Sequence, residues 1–391
     1  MAAEAGRIVQ EVAMHAPGAG TGSTPEADDG ARFARAFAAE SAGYWRGPTA
    51  VSAWLLTLAL GATVLMSIAG TVAVSSWNRW FFDALEARDG ETALLALGAF
   101  LLLAAVLTGV SVGTVVSRET LQVRWRQWLT DRLVDTWLGE RRFHRLKLLY
   151  PEVTNPEYRM AEDIRWATEP PVDFAMGLLT AVVSTVTFVG ILWSVGGALA
   201  LGGEDGVRIP AYMVLAALLQ GGVVTVLMLK VGRLLPRQMA ARNEAEAHFR
   251  FHLTLVRENA ARVAHNGEEA RERATLAQRY AAVVSRWLAV VRKDGQITWI
   301  LTGNGILVPI VPILLATPKY LSDELSLGAV MQLAAAYVPV QAAIAWGVDN
   351  FRAISNWHAS ARRVVELVEA MRALDAAPEA EAAAIGVTVR V

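Results

Sequence analysis

Six stretches of this chain contain no Asp, Glu, Lys or Arg: Gly47–Asn78, Thr92–Ser117, Phe174–Gly203, Ile209–Leu229, Gly295–Pro318 and Leu325–Val348. The shortest has 21 residues and the longest 32. A helix crosses roughly 30 Å of hydrocarbon with about 20 mostly apolar residues. An ionised side chain left at the bilayer centre costs about 3 kcal/mol or more, so absence of charge is the mark of a span. Six buried helices of a soluble protein would run shorter and keep a charged edge. The chain therefore reads as all-α, a polytopic membrane protein of six transmembrane helices. The composition agrees: 19% of the 391 residues are charged, against about a quarter in soluble domains. A net charge of -1 excludes a nucleic-acid binder held by bulk positive charge. The absence of cysteine excludes a disulfide framework and a thiolate zinc site.

The charges between the stretches set a topology. Lys and Arg number 4 in residues 1–46, 10 in 118–173, 13 in 230–294 and 5 in 349–391. The alternate connections hold only Arg79, Arg88, Arg208 and Lys319, among acids such as Asp83, Glu86, Asp89 and Glu324. Positive charge stays on the cytoplasmic side, so both termini and both long connections are expected inside. With 32 Arg to 4 Lys, the coding bias is that of a GC-rich bacterium, and the expected location is the bacterial inner membrane. Residues 1–46 show neither periodicity nor the apolar core of a signal peptide, and are expected to be a disordered cytoplasmic tail.

The outer connections are short, while the inner ones span about 55 and 65 residues. Proline is absent from Thr92 to Tyr150. Read as one helix, those 59 residues measure roughly 90 Å, about three bilayer cores. Beyond the span, Leu121, Trp125, Trp128, Leu129, Leu133 and Trp137 form an apolar stripe on one helical face. The second connection repeats the pattern with Phe249, Leu253, Val256, Ala260 and Val263, then Leu276, Tyr280, Val283, Trp287 and Val291. Asn266-Gly267 ends a helix between them, and Pro151, Pro156 and Pro170-Pro171 punctuate the first connection. Each inner connection is thus expected to be a long antiparallel helical hairpin. Arms of about 30–40 Å suit levers between a cytoplasmic module and the membrane.

Five separated segments carry a family likeness. They are Asn78–Leu85, Arg124–Thr130, Asn155–Ile164, Glu244–Phe251 and Arg257–Asn259 with Asn266–Glu268. In that order they resemble the SbmA/BacA-like group of ABC transporter membrane domains, over about residues 50–375. The peroxisomal fatty-acyl-CoA half-transporters look like more distant relatives. The resemblance implies an ABC exporter-type transmembrane domain over residues 47–375, working as a homodimer in the lipid bilayer. It implies loop tips that dock on a nucleotide-binding domain, carried here by Asn155, Pro156, Arg159, Glu162 and Asp163, and by Glu258, Asn259, Gly267 and Glu268. It also implies a peptide or a small hydrophilic solute such as cobalamin as cargo, moved by alternating access.

The sequence departs from the family's ATP-driven members. It has no Gly-Lys dipeptide and so no phosphate loop of the G-x-x-x-x-G-K-[ST] type. ATP and Mg²⁺ are therefore expected on a partner or an absent domain, and no cofactor or metal on this chain. The alternating Ile385–Val391, in the tail 376–391, reads as a strand and resembles the first strand of such a domain. Members without an ATPase domain are thought to be proton-driven. For that alternative Glu162, Glu169 and Asp173 are the candidate carriers, with ion pairing to nearby arginines as the plainer use. A non-transporting scaffold or truncated remnant is the third reading. Gln220 in the fourth span, and Gln332, Tyr337 and Gln341 in the sixth, suit either a hydrated cavity or interhelical hydrogen bonds. Trp77, Trp80, Phe81 and Phe82 suit an aromatic anchor at the outer membrane edge. His248 and His252, four apart on a helix, lack a third ligand for a metal.

Overall fold

In the computed structural model residues 25–151, 153, 155–201 and 207–376 are described. Six helices carry the charge-free stretches, each long and apolar enough to cross a membrane. They are α2 (Ala50–Glu86), α3 (Gly90–Leu138), α6 (Ile164–Gly196), α7 (Tyr212–Gly232), α10 (Glu269–Leu321) and α11 (Leu327–Ala376). Shorter helices complete the chain: α1 (Pro25–Arg46), α4 (Arg142–Leu149), α5 (Pro156–Tyr158), α8 (Leu235–Glu258) and α9 (Ala260–Asn266). Two short strands, β1 (Ala198–Leu201) and β2 (Val207–Pro210), pair antiparallel with Leu199 opposite Ile209. The chain divides into two compact units. The first comprises the described parts of Met1–Met66, Gly109–Gly177 and Asn350–Val391, the second Ser67–Thr108 and Leu178–Asp349.

The first unit is held by the stripe that the sequence marks on α3. Leu129 and Leu133 pack with Leu146 of α4, Ile164 and Ala167 of α6, and Val364, Leu367, Val368 and Met371 of α11. Trp128, Trp137 and Trp357 cover this core. A neighbouring cluster joins Tyr44, Ala53, Leu60, Leu121, Trp125 and Val172.

Three expectations are corrected here. The first concerns residues 25–46, expected within a disordered tail, which form α1. Phe33, Phe37, Glu40 and Tyr44 recur at steps of four, three and four on one face. Phe33 and Phe37 pack against Trp357, with ring centroids 6.1 and 5.5 Å away. The buried Glu40 carboxylate accepts from Arg372 and forms an ion pair with Arg132 at 3.3 Å. Gly43 lets α1 approach α3, because a Cβ there would lie 2.8 Å from the Trp128 ring. Residues 1–24 and 377–391, including the expected terminal strand, lie outside the described residues.

The second concerns the single helix expected from Thr92 to Tyr150. It breaks at Gly139–Arg141, where Glu140 and Arg141 take positive φ. The break turns α4 so that Leu146 enters the core. Arg142 then reaches Asp375 at 2.7 Å, and Arg145 donates to the Leu374 carbonyl at 2.8 Å.

The third concerns Pro170-Pro171, which do not interrupt the helix but lie inside α6. Pro171 leaves the Ala167 carbonyl without its helical N–H, and the Trp357 indole donates to that oxygen at 3.3 Å.

In the second unit the third charge-free stretch is helical only to Gly196. Lys319 Nζ donates to the Gly196 carbonyl at 2.9 Å, a cation on orphan carbonyls at a helix C-terminus. The N-terminus of α11 is capped from α2. Asp83 accepts from the Gly328 N–H at 3.0 Å and Glu86 from the Leu327 N–H at 2.8 Å. At Gly328 a Cβ would meet the Arg79 carbonyl, so the two helices touch backbone to backbone. Asp89 caps α3 by accepting from the Glu91 and Thr92 N–H groups, both at 3.1 Å. Its bonds to Thr92 hold its carboxyl below the usual range.

Candidate functional site: the loop tips and the polar helix contacts

Pro151 to Ile164 make the first tip. Asn155 adopts the left-handed conformation (φ 52°), which Asn tolerates better than most residues. Pro156 follows at the first helical position, where its missing N–H is harmless. After α5 the chain widens into a single π-helical turn over Arg159–Asp163, a feature frequent at functional sites. The turn has an inner and an outer side. Met160, Asp163 and Ile164 are buried, whereas Asn155, Glu157, Tyr158 and Ala161 are exposed.

Two ion pairs fasten the inner side to α11. Asp163, 1% exposed, accepts from Arg363 Nε at 2.7 Å and from its terminal nitrogen at 2.5 Å. Ser360 Oγ accepts from the same guanidinium at 2.9 Å. Arg159 donates to the Arg363 carbonyl at 3.0 Å and pairs with Glu366 at 3.4 Å. Of the residues expected at this tip, Asn155 therefore lies on the outer side, while Arg159 and Asp163 anchor it. Glu162 pairs with Arg165 at 2.9 Å on the surface.

The other acids expected as carriers also face arginines. Glu169 lies 3.5 Å from Arg126, and Asp173 lies 3.8 Å from Arg118. Gln122 joins them, donating to the Glu169 carbonyl at 2.9 Å and to Asp173 at 3.1 Å.

The second tip belongs to the second unit. Asn259 ends α8 with its side chain on the Leu255 carbonyl at 2.8 Å. Gly267, at φ 65°, ends α9. Arg262 and Glu268 close the turn at 2.6 Å, and Val263 is buried beneath it. Glu258, Asn259 and Gly267 are exposed. Further along the hairpin His252 meets Glu272 at 3.0 Å, and Phe249 packs against Tyr280 at a tilt, with centroids 5.3 Å apart. The apolar stripes of this arm are covered only in part. Val283 and Val290 are buried, but Leu253, Tyr280, Trp287, Leu288 and Val291 stay exposed, between 43% and 56%.

Gln220, Tyr337 and Gln341 of the fourth and sixth spans make interhelical side-chain bonds, whereas the buried Gln332 side-chain oxygen has no partner among the described residues. Tyr337, wholly buried, donates to Gln220 Oε1 at 2.9 Å, and Gln220 donates onward to Asn304 at 2.9 Å. Gln341 donates to the Ala217 carbonyl at 2.7 Å. The Gln332 backbone carbonyl accepts from Ser75 at 3.4 Å. Trp77 donates to the Ala96 carbonyl at 2.7 Å and stacks on Phe81 at 5.1 Å, while Trp80 is exposed.

Sequence reasoning missed Arg363, Glu366 and Ser360 as anchors, and Glu157 and Tyr158 as the outer face. The signal for the anchors was the Arg362-Arg363…Glu366 run on the last helix. It reads as an ordinary solvated face until the fold sets it beside Asp163.

Six helices long and apolar enough to cross a bilayer define a multi-pass transmembrane domain. Comparison with known proteins identifies it. Residues 47–302 match the family model described as ABC transporter transmembrane region 2, and the chain belongs to that family. It is 23% identical to the inner membrane ABC transporter ATP-binding protein YddA of Escherichia coli (strain K12), over 83% of this chain and 58% of that one. It is 26% identical to an uncharacterized ABC transporter ATP-binding protein of Synechocystis, over 81% and 47%. It is 25% identical to ABC transporter D family member 2, chloroplastic, of Arabidopsis thaliana, over 83% and 44%. The chain thus spans about half the length of these relatives.

Proposed function

We propose that this chain is the SbmA/BacA-like permease part of a transporter that moves a peptide or another hydrophilic solute, such as cobalamin, by alternating access. A nucleotide-binding domain energises it, supplied by another chain or by the continuation of this one. The observation that carries the reading is the first tip: an exposed turn, Asn155–Tyr158, pinned through Asp163 and Arg159 to the helix that also carries the sixth span. A push on such a turn is delivered to α11 instead of being absorbed by a loose loop. Two of these relatives are named ATP-binding proteins, which agrees with a partner of that kind. The uncovered stripe on the second arm supports a homodimer, since exposed apolar area of that extent outside a membrane normally meets a partner.

The test is uptake of labelled peptide and labelled cobalamin into vesicles, with ATP depleted or with a proton ionophore added. Loss on ATP depletion, together with uncoupling by Glu258→Arg and Gly267→Pro, supports the reading. Loss with the ionophore alone, abolished also by neutralising Glu169 or Asp173, would replace it with proton drive. Insensitivity to both would leave a scaffold.

A further inference from the structure

In the second unit three neutral side chains form one chain of hydrogen bonds across three helices. The Tyr337 hydroxyl of α11 donates to Gln220 Oε1 of α7 at 2.9 Å, and Gln220 Nε2 donates to Asn304 Oδ1 of α10 at 2.9 Å. Each of the three lies within three residues of the midpoint of its charge-free stretch, so the relay sits at the centre of the hydrocarbon. Two further contacts join α11 to α7 beside it. Gln341 donates to the Ala217 carbonyl at 2.7 Å, and Gly221 lies against Ile344, where an added Cβ would come within 2.8 Å.

Two observations separate this relay from a permanent staple. The same arrangement buries polar atoms that find no partner. Gln332 of α11 is 8% exposed and Tyr212 of α7 is 5% exposed, yet neither the Gln332 side-chain oxygen nor the Tyr212 hydroxyl has a hydrogen bond among the described residues. The two belong to one packed level. Their sequence neighbours Leu333 and Met213 both touch Gly196, lying 3.7 and 3.0 Å from a Cβ built there. Each such atom costs free energy for as long as water is kept away from it. The helices are also weakened beside the relay. Pro339 follows Tyr337 within α11, and Pro309 follows Asn304 within α10. The Ala335 and Gly305 carbonyls therefore lose their helical N–H groups, and helices kink most readily at such places. A few neutral bonds thus hold the packed state, buried unpaired groups oppose it, and the helices bend at that depth.

We propose that the Tyr337–Gln220–Asn304 relay is a latch that holds the sixth span on the fourth and fifth, and that α11 parts from α7 when it breaks. The proposal rests on the alternating-access reading above and assigns the α7–α11 face as a contact that opens in each cycle. Opening breaks the two bonds from Tyr337 and Gln341 and lets water reach Gln332 and Tyr212, so gains offset losses and the two states lie close in free energy. Neutral groups suit such a contact. Each amide donates and accepts, and can exchange its partner for water. Separating an ion pair at the same depth would leave two uncompensated charges.

The test uses the full chain in lipid nanodiscs and its cysteine-free background. Leu333 is wholly buried on α11, so alkylation of Leu333→Cys by N-ethylmaleimide reports how often that face opens. Adding Tyr337→Phe should speed alkylation about fivefold, the effect of losing one bond of about 1 kcal/mol. Trp77→Phe removes a bond of similar kind between α2 and α3 and should leave the rate unchanged. A second arm locks the face. The Cβ built at Gly221 lies 3.3 Å from Ile344 Cβ, close to the separation that a disulfide spans. Oxidised Gly221→Cys, Ile344→Cys protein should lose uptake of labelled peptide into vesicles, and a reductant should restore it. An unchanged rate in the Tyr337→Phe background overturns the latch. So does equal acceleration by Trp77→Phe, which marks general loosening, or undiminished uptake by the locked protein. If the reduced protein takes up no solute, the transport reading fails, and the alkylation rates still decide whether the relay is a latch.

Discussion

Removing either partner of the Asp163–Arg363 pair should destabilise the first unit, and the two removals should cost different amounts. The carboxylate is 1% exposed and accepts two charge-assisted bonds, whereas the Arg363 side chain is 41% exposed. Breaking a buried pair from one side costs about 3–5 kcal/mol, mostly through the charge left behind. In Arg363→Ala that charge is the buried carboxylate, and about 3–4 kcal/mol is expected. In Asp163→Ala the guanidinium turns to water, so solvent screening reduces the loss to about 2 kcal/mol. At roughly 2 °C per kcal/mol for a large domain, apparent Tm should fall by about 7 °C and about 4 °C respectively. Trp128, Trp137 and Trp357 pack on the same core, so their fluorescence on heating in detergent reports the transition. The double variant leaves no buried charge behind and should lose only about 2 kcal/mol, as much as Asp163→Ala alone, a coupling of about 3–4 kcal/mol. Equal losses from the two single variants, or strict additivity in the double, would refute the assignment of the burial cost to Asp163.

Tyr337→Phe removes the hydroxyl bonded to Gln220 at 2.9 Å and should cost about 1 kcal/mol, the usual scale for a polar contact between spans, measurable by the same melt. The chain's lack of cysteine allows single-Cys labelling on the native background. Gly90 and Ser322 should react with an impermeant reagent from outside, and Asn155 and Asn266 only from inside. Labelling of Asn155 from outside would overturn the charge-based orientation.

The spans were legible in the sequence because a bilayer imposes a one-dimensional rule, and 20 or more residues without charge satisfy it regardless of what surrounds them. The apolar stripe on α3 was legible for a similar reason: helical spacing alone puts Leu121, Trp125, Leu129 and Leu133 on one face, and all four are buried. Residues 25–46 defeated that approach. Their helical face rests on two phenylalanines, one tyrosine and a glutamate whose worth depends on Arg132 and Arg372, distant in sequence. Pro170-Pro171 misled in the opposite direction, since the helix continues where Trp357 takes over a carbonyl.

The tips divide in the same way. Asn155-Pro156 and Asn266-Gly267 announce turns through backbone conformation, which belongs to the residue itself. Which side chains then anchor a tip and which face outward was settled only by packing. Asp163 became an anchor because Arg363, 200 residues away, arrives beside it, and the same burial leaves Asn155 and Tyr158 on the surface. Local periodicity and the cost of charge in hydrocarbon therefore determined the six spans and the stripes. Pairings between distant polar groups, whose energies exist only once burial has removed water from both, were decided by the tertiary structure.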